Sequence, residues 1–285
     1  MKHSEIENII KNNYKRILIV FKRVTKHFKA KDIHLFRIEV KTLNAFLRMV
    51  CIDMVYIPGL NLPKKLHEFY KALGIIRSFQ IHKHHIQIIL ENKFSILPFP
   101  YLNILENRIL DNMAIAKELD KKKNPFRKGE QELLSILPHK LLPKYIEEYT
   151  LGKLQKIEML LVPFFPSDES LHSIRKLLKD LLYNRRYIKS EDSILQPILK
   201  CFDKLEIHSI TELLGDYQDT RTILGILHAD YIDQGTNEKD KIILSDLENA
   251  LNIEKEKIRH KIHNQFQKCS LFSKLHNLST LEVKD

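Results

Sequence analysis

Asp32-Ile33-His34-Leu35-Phe36-Arg37-Ile38-Glu39-Val40-Lys41, continuing to Arg48, returns 138 residues later as Ser170-Leu171-His172-Ser173-Ile174-Arg175-Lys176-Leu177-Leu178-Lys179, continuing to Arg186. In both stretches apolar residues recur at helical spacing. A basic set, His, Arg, Lys and Arg, falls at relative positions 0, 3, 7 and 14 of each copy. At about 100° and 1.5 Å per residue, those positions share a stripe about 60° wide and roughly 21 Å long. The match extends into the next helix: Leu73-Gly74-x-x-x-Ser78 recurs as Leu214-Gly215-x-x-x-Asp219, with His67 and His208 seven residues before the glycines. Matches on two successive helices at nearly one offset read as a duplicated four-helix unit.

Working outward, Pro and polar clusters punctuate apolar periodicity along the whole chain, and no stretch alternates as a strand would. Eight main helices are expected, over about 4–29, 32–56, 63–93, 100–121, 142–161, 167–189, 193–230 and 237–268, with a short segment near 130–137. Asp32 reads as an N-cap of the second helix, and Ser167-Asp168-Glu169-Ser170 as cap and acidic first turn of the sixth. The fold class is all-α, with a first bundle over 1–125 and a second over 126–285.

The 285 residues carry 47 Lys plus Arg against 36 Asp plus Glu, a formal charge of +11, with 44% apolar residues. That composition excludes a disordered chain, and 7 Gly with 10 Pro disfavour a turn-rich β architecture. No apolar run approaches the ~18 residues of a membrane span, and the start lacks a signal-peptide core, so a cytoplasmic protein is expected. Cys51, Cys201 and Cys269 lie far apart and read as reduced, mostly buried thiols. Residues 1–93 hold 18 Lys plus Arg and 7 Asp plus Glu, and the remainder holds 29 of each, so all the net charge belongs to the first third. Such asymmetry points to a polyanion.

The stripes sharpen that reading. On the second helix, Ile33, Phe36, Val40, Leu43, Leu47 and Val50 form the main apolar face, and Ile38, Ala45 and Met49 flank the row on its other side. A solvated face would carry polar residues there. Confined cations with few acidic partners are costly, and a bound anion compensates them. Arg grips phosphate oxygens bidentately, Lys adds a point charge, and His34 or His172 could donate to phosphate and gain charge from it. Lys15, Lys22, Lys26 and Lys29 form a further row on the first helix, readable as an outer continuation of the anion path or as a solvated face. The glycines read as sites of close helix approach, and Asp219 as a residue that orients a basic side chain or backbone. His82, His84 and His85 lack acidic partners at adjacent turns and read as surface or groove residues; no metal or cofactor is expected.

His-x-x-Arg-x-x-x-(Arg/Lys) on one helix and Leu-Gly-x-x-x-Asp on the next, both occurring twice, resemble the conserved histidine α-helical domain family, CHAD. The resemblance covers nearly the whole chain. It implies two four-helix bundles related by pseudo-two-fold symmetry around a basic central channel, and non-catalytic binding of inorganic polyphosphate, with association to polyphosphate granules as a further expectation. The implied contacts are His34, Arg37, Lys41 and Arg48, then His172, Arg175, Lys176, Lys179 and Arg186, with Lys22, Lys26, Lys71 and Arg77. Thr42 and Asn44, and Asp180 and Leu182, stand where the family often has further arginines, and Ser78 replaces its first Asp. The stronger contacts are therefore expected in the first half.

Two other classes compete. Nucleic-acid binding by the same basic surface lacks a reader motif, Trp, and aromatic residues spaced along the stripes to stack bases. Enzymatic readings fare no better. Arg37 and Arg175 follow their histidines as in histidine phosphotransfer domains, but those favour small residues where Ile38-Glu39 and Lys176-Leu177 stand. A polyphosphate-processing enzyme would need clustered carboxylates for a metal, and none accompanies the stripes.

Overall fold

The computed structural model describes residues 1–53, 60–94, 99–118, 124–162, 166–187, 205–233 and 238–269. The described residues are helical with no strand; one isolated bridge joins Lys2 and Lys140. None of their helices is long and apolar enough to cross a membrane. Contacts divide the chain into two compact units, Met1–Pro143 and Lys144–Asp285.

The first unit contains α1 (His3–His27), α2 (Ala30–Val50) with a 3-10 turn at Cys51–Asp53, and α3 (Lys64–Ile89) running into a π-helical turn at Leu90–Phe94. It continues with α4 (Pro100–Glu118) and the short α5 (Arg127–Ser135). Helix α2 packs on α1 and α3, and α3 on α4. Every residue of the apolar face read from the α2 sequence is fully buried. The rings of Phe21, Phe36, Phe69 and Phe126 interlock, with Phe126 centred 4.9 Å from Phe21 and Phe69 5.1 Å from Phe21. Edge-to-face pairs of this kind contribute about 0.5–1.5 kcal/mol each beyond area burial.

Phe126 also corrects the expected boundary at 125/126. It anchors α5 in the first unit, against α1 and α3. Residues near 140 are held there too, because the Met1 ammonium donates to the Leu141 carbonyl at 2.7 Å and Leu141 N–H donates back to Met1 at 2.9 Å. Asp32 does not cap α2 as expected. Phe28 ends α1 in the left-handed conformation, φ 50°, so the chain reverses at once and α2 starts at Ala30 behind Lys29. Asp32 instead lies in the first turn, where its charge suits the helix dipole, and pairs with Arg23.

The second unit contains α6 (Pro143–Leu161), α7 (Asp168–Asn184) with a 3-10 turn at Arg185–Tyr187, α8 (Leu205–Asp233) and α9 (Glu238–Lys268). Helix α8 packs on α7 and α9. The expected cap is present, with Ser167 Oγ accepting from Ser170 N–H at 3.1 Å. Ile174, Leu178 and Leu181 face the core. The helix expected from Ser193 is described only from Leu205, and Cys201 lies outside the described residues.

Candidate polyanion site

On α2, Arg37 and Lys41 are half-buried and His34 and Arg48 exposed. Ala45 and Met49, beside the row, are fully buried, so this helix is covered on both flanks as its sequence indicates. Arg37 is held against α3: its Nη1 donates to the Tyr70 carbonyl at 3.0 Å and its guanidinium carbon lies 4.5 Å from the Tyr70 ring centroid. Gly74 makes the space. A Cβ there would lie 2.5 Å from Arg37 Nη1, too close for any rigid arrangement. The glycine thus admits a guanidinium, a more specific role than general helix approach.

The second unit repeats this arrangement with looser fit. His172, Arg175 and Lys179 on α7 are half-buried and Lys176 is exposed. A Cβ on Gly215 would sit 3.7 Å from Arg175 Nε, an ordinary contact, and that buried Nε has no hydrogen-bond partner. Arg186 falls beyond the end of α7, exposed in the 3-10 turn with its guanidinium 4.7 Å from the Tyr187 ring centroid. The fourth position of the stripe therefore follows helical spacing on α2 but not on α7.

Two carboxylates flank the rows, and each pairs with a cation of a neighbouring helix. Glu39 accepts from Arg16 of α1 at 2.9 Å. Asp180 pairs with Lys153 of α6 at 2.8 Å, both side chains nearly buried, and Lys153 also lies over the Tyr149 ring. Crowding of the cations registers in their acidity. Burial, then Arg175, hold the Lys179 ammonium below its usual pKa, with Glu212 partly opposing. Burial, then Lys176, hold His172 below the ordinary histidine range; Gln218 opposes as a hydrogen-bond partner, and Arg175 and Arg221 add repulsion.

Lys22, Lys26 and Lys71 are exposed and Arg77 is half-buried; Lys15 and Lys29 are exposed like the other lysines of their row. His82 departs from the surface reading, being fully buried with its ring 5.6 Å from that of Tyr101, while His84 is exposed. Among the described residues no three His, Cys, Asp or Glu side chains gather as a metal site. Three participants escaped the motif reading: Tyr70, Glu212 and Gln218. Each stands three or four residues from a repeat glycine, and that register is the signal that would have exposed them. Glu212 occupies the repeat position of Lys71, and Gln218 that of Arg77.

No protein-family model matches the chain. No curated protein matches it either. Among solved structures, PptA from Streptomyces chartreusis superposes with a TM-score of 0.69 at 12% identity, over 93% of this chain and 99% of PptA. The CHAD domain from the plant Ricinus communis superposes with a TM-score of 0.65 at 13% identity, over 92% of each chain. The resemblance first read from the paired His-x-x-Arg and Leu-Gly motifs is therefore matched in three dimensions: the chain has the all-α fold of the CHAD domain.

Proposed function

We propose that this protein binds inorganic polyphosphate without catalysing its turnover, through the Lys, Arg and His side chains of the α2 and α7 rows. The observation that carries the reading is the half-burial of Arg37 and Lys41 on α2 and of Arg175 and Lys179 on α7 at matching repeat positions, which concentrates positive charge along one side of each helix. Arg37, Lys41, Arg175 and Lys179 supply the charge, His34, His172, Arg48 and Arg186 extend it, and Lys22, Lys26, Lys71, Lys176 and Arg77 add to the approach. A linear polyanion suits rows that run along a helix, since successive phosphates meet successive turns. Cytoplasmic residence and recruitment to polyphosphate granules belong to the same proposal.

The deciding experiment titrates the full chain with long-chain polyphosphate and with an equal quantity of phosphate as orthophosphate. Tight, salt-weakened binding of the polymer is expected, because neutralising its charges releases counterions. Arg37→Glu combined with Arg175→Glu should abolish it. Equal affinity for orthophosphate, or binding unchanged in the double variant, refutes the reading. Equal or tighter binding of RNA or DNA in parallel would instead favour a nucleic-acid partner, and phosphate release would indicate an enzyme.

A further inference from the structure

Arg221 on α8 belongs to neither copy of the repeated basic row, yet its guanidinium reaches the end of one. Its Nη2 donates to Glu169 at 2.6 Å and its Nε lies 3.4 Å from Asp168, both carboxylates standing in the first turn of α7. Asp168 comes four residues before His172, so it falls in the same stripe, about 60° wide, as His172, Arg175 and Lys179. Six residues separate Gly215 from Arg221 on α8, and six separate Arg175 from Glu169 on α7. Gly215 faces Arg175 and Arg221 meets Glu169, so the two helices run antiparallel in register, and Arg221 stands roughly 9 Å beyond Arg175 toward the start of α7. The two carboxylates hold it unequally. Asp168 is fixed from behind, because the buried Tyr217 donates its hydroxyl to one carboxylate oxygen at 2.6 Å and leaves the other to Arg221. Glu169 is 74% exposed and Arg221 37% exposed. An ion pair this open to water contributes little, since each charge is well solvated without it. A phosphate oxygen offers Nη2 the same charge-assisted hydrogen bond.

We infer that Arg221 is a further phosphate-binding residue of the second unit, held in reserve by Glu169 and transferred to the polymer when polyphosphate lies along the α7 row. This rests on the polyphosphate reading above. Nε keeps its place beside Asp168 while Nη2 exchanges the Glu169 carboxylate for a phosphate oxygen. The exchange gives up one exposed ion pair and lengthens the row by one cation past His172. The first unit is built differently at this register. Lys31 occupies the repeat position of Glu169 and Ala30 that of Asp168, while Gln80, in the place of Arg221, donates to the Phe28 carbonyl at 3.2 Å. There the cation is carried by the row helix itself, opposite an amide. The reserve belongs to the second unit.

The test is a titration of the full chain with long-chain polyphosphate over a range of salt, in wild type, Glu169→Gln, Arg221→Gln and the double variant. Glu169→Gln should tighten binding by about twofold or more, since no exposed pair has to be given up. Arg221→Gln should weaken binding and make the fall of log affinity with log salt shallower by about 0.7, the share of one phosphate contact on a single-stranded polyanion. In the Arg221→Gln background the gain from Glu169→Gln should vanish. Arg221→Lys, which retains the charge, should keep the wild-type salt dependence, a readout that a merely loosened first turn of α7 does not move. A gain that persists without Arg221 reflects plain removal of a negative charge and overturns the inference. So does an unchanged salt dependence in Arg221→Gln, and both results leave the polyphosphate reading standing. Wild type that binds no polyphosphate at any salt overturns both.

Discussion

Gly74→Ala and Gly215→Ala are the same substitution at equivalent points of the repeat, and the structure gives them opposite signs. Both replace a glycine inside a long helix, where alanine is favoured by about 0.8–1.0 kcal/mol. At Gly215 nothing opposes the gain, since the added methyl would meet Arg175 at 3.7 Å. At Gly74 it would meet Arg37 Nη1 at 2.5 Å, and the guanidinium must shift, at the expense of its hydrogen bond to the Tyr70 carbonyl and its contact with the Tyr70 ring. A hydrogen bond from a charged donor contributes about 1.5–3 kcal/mol, and an exposed cation–π contact about 0.5–1 kcal/mol. Gly74→Ala should therefore destabilise by about 1–3 kcal/mol, while Gly215→Ala stabilises by about 1 kcal/mol. Urea unfolding of the full chain, followed by helical circular dichroism, measures the difference. Polyphosphate affinity should also fall in Gly74→Ala, since Arg37 is displaced from its seat. Equal stabilisation by both alanines would refute the account of Arg37 as a side chain seated on α3.

The remaining predictions concern the supports of the rows. Lys153→Met removes the ammonium paired with the nearly buried Asp180 and should cost more in the same unfolding assay than Arg16→Met at the more exposed Glu39 pair, where about 1 kcal/mol or less is expected. Tyr217 donates to Asp168 at 2.6 Å in the first turn of α7, so Tyr217→Phe should lower the urea midpoint by the equivalent of about 1.5–3 kcal/mol. The free protein should lose stability as pH falls from the ordinary histidine value through the lowered one of folded His172, because the unfolded chain binds that proton more readily; below the folded value the loss ends. Comparing unfolding against pH in wild type and His172→Gln isolates this contribution.

Among the described residues, helix positions and helix faces were legible in the sequence because they depend on local periodicity. The α2 face from Ile33 to Val50 is buried as its spacing dictates, and the Ser167 cap follows from the chemistry of four consecutive residues. The duplicated row was legible for the same reason as far as Lys41 and Lys179, since positions three and seven apart share one side of any helix, whereas Arg186 lies beyond the end of α7. Side-chain partnership was not legible. Nothing local assigns Glu39 to Arg16 or Asp180 to Lys153, since those pairs bridge 23 and 27 residues and arise only when α1 packs on α2 and α6 on α7. The boundary near residue 143 depended likewise on where Phe126 finds its aromatic neighbours.

By itself the sequence determined an all-α chain, repeated, with matched cations on one face of two corresponding helices, because composition and periodicity act through each helix separately. The tertiary structure alone decided where the cations are held and against what. It drew the flanking carboxylates onto neighbouring helices, seated Arg37 beside a glycine, and half-buried His172 among cations, so that burial and then charge hold its pKa down. Charge compensation is a matter of distance and burial between elements, and those quantities exist only once the helices have packed.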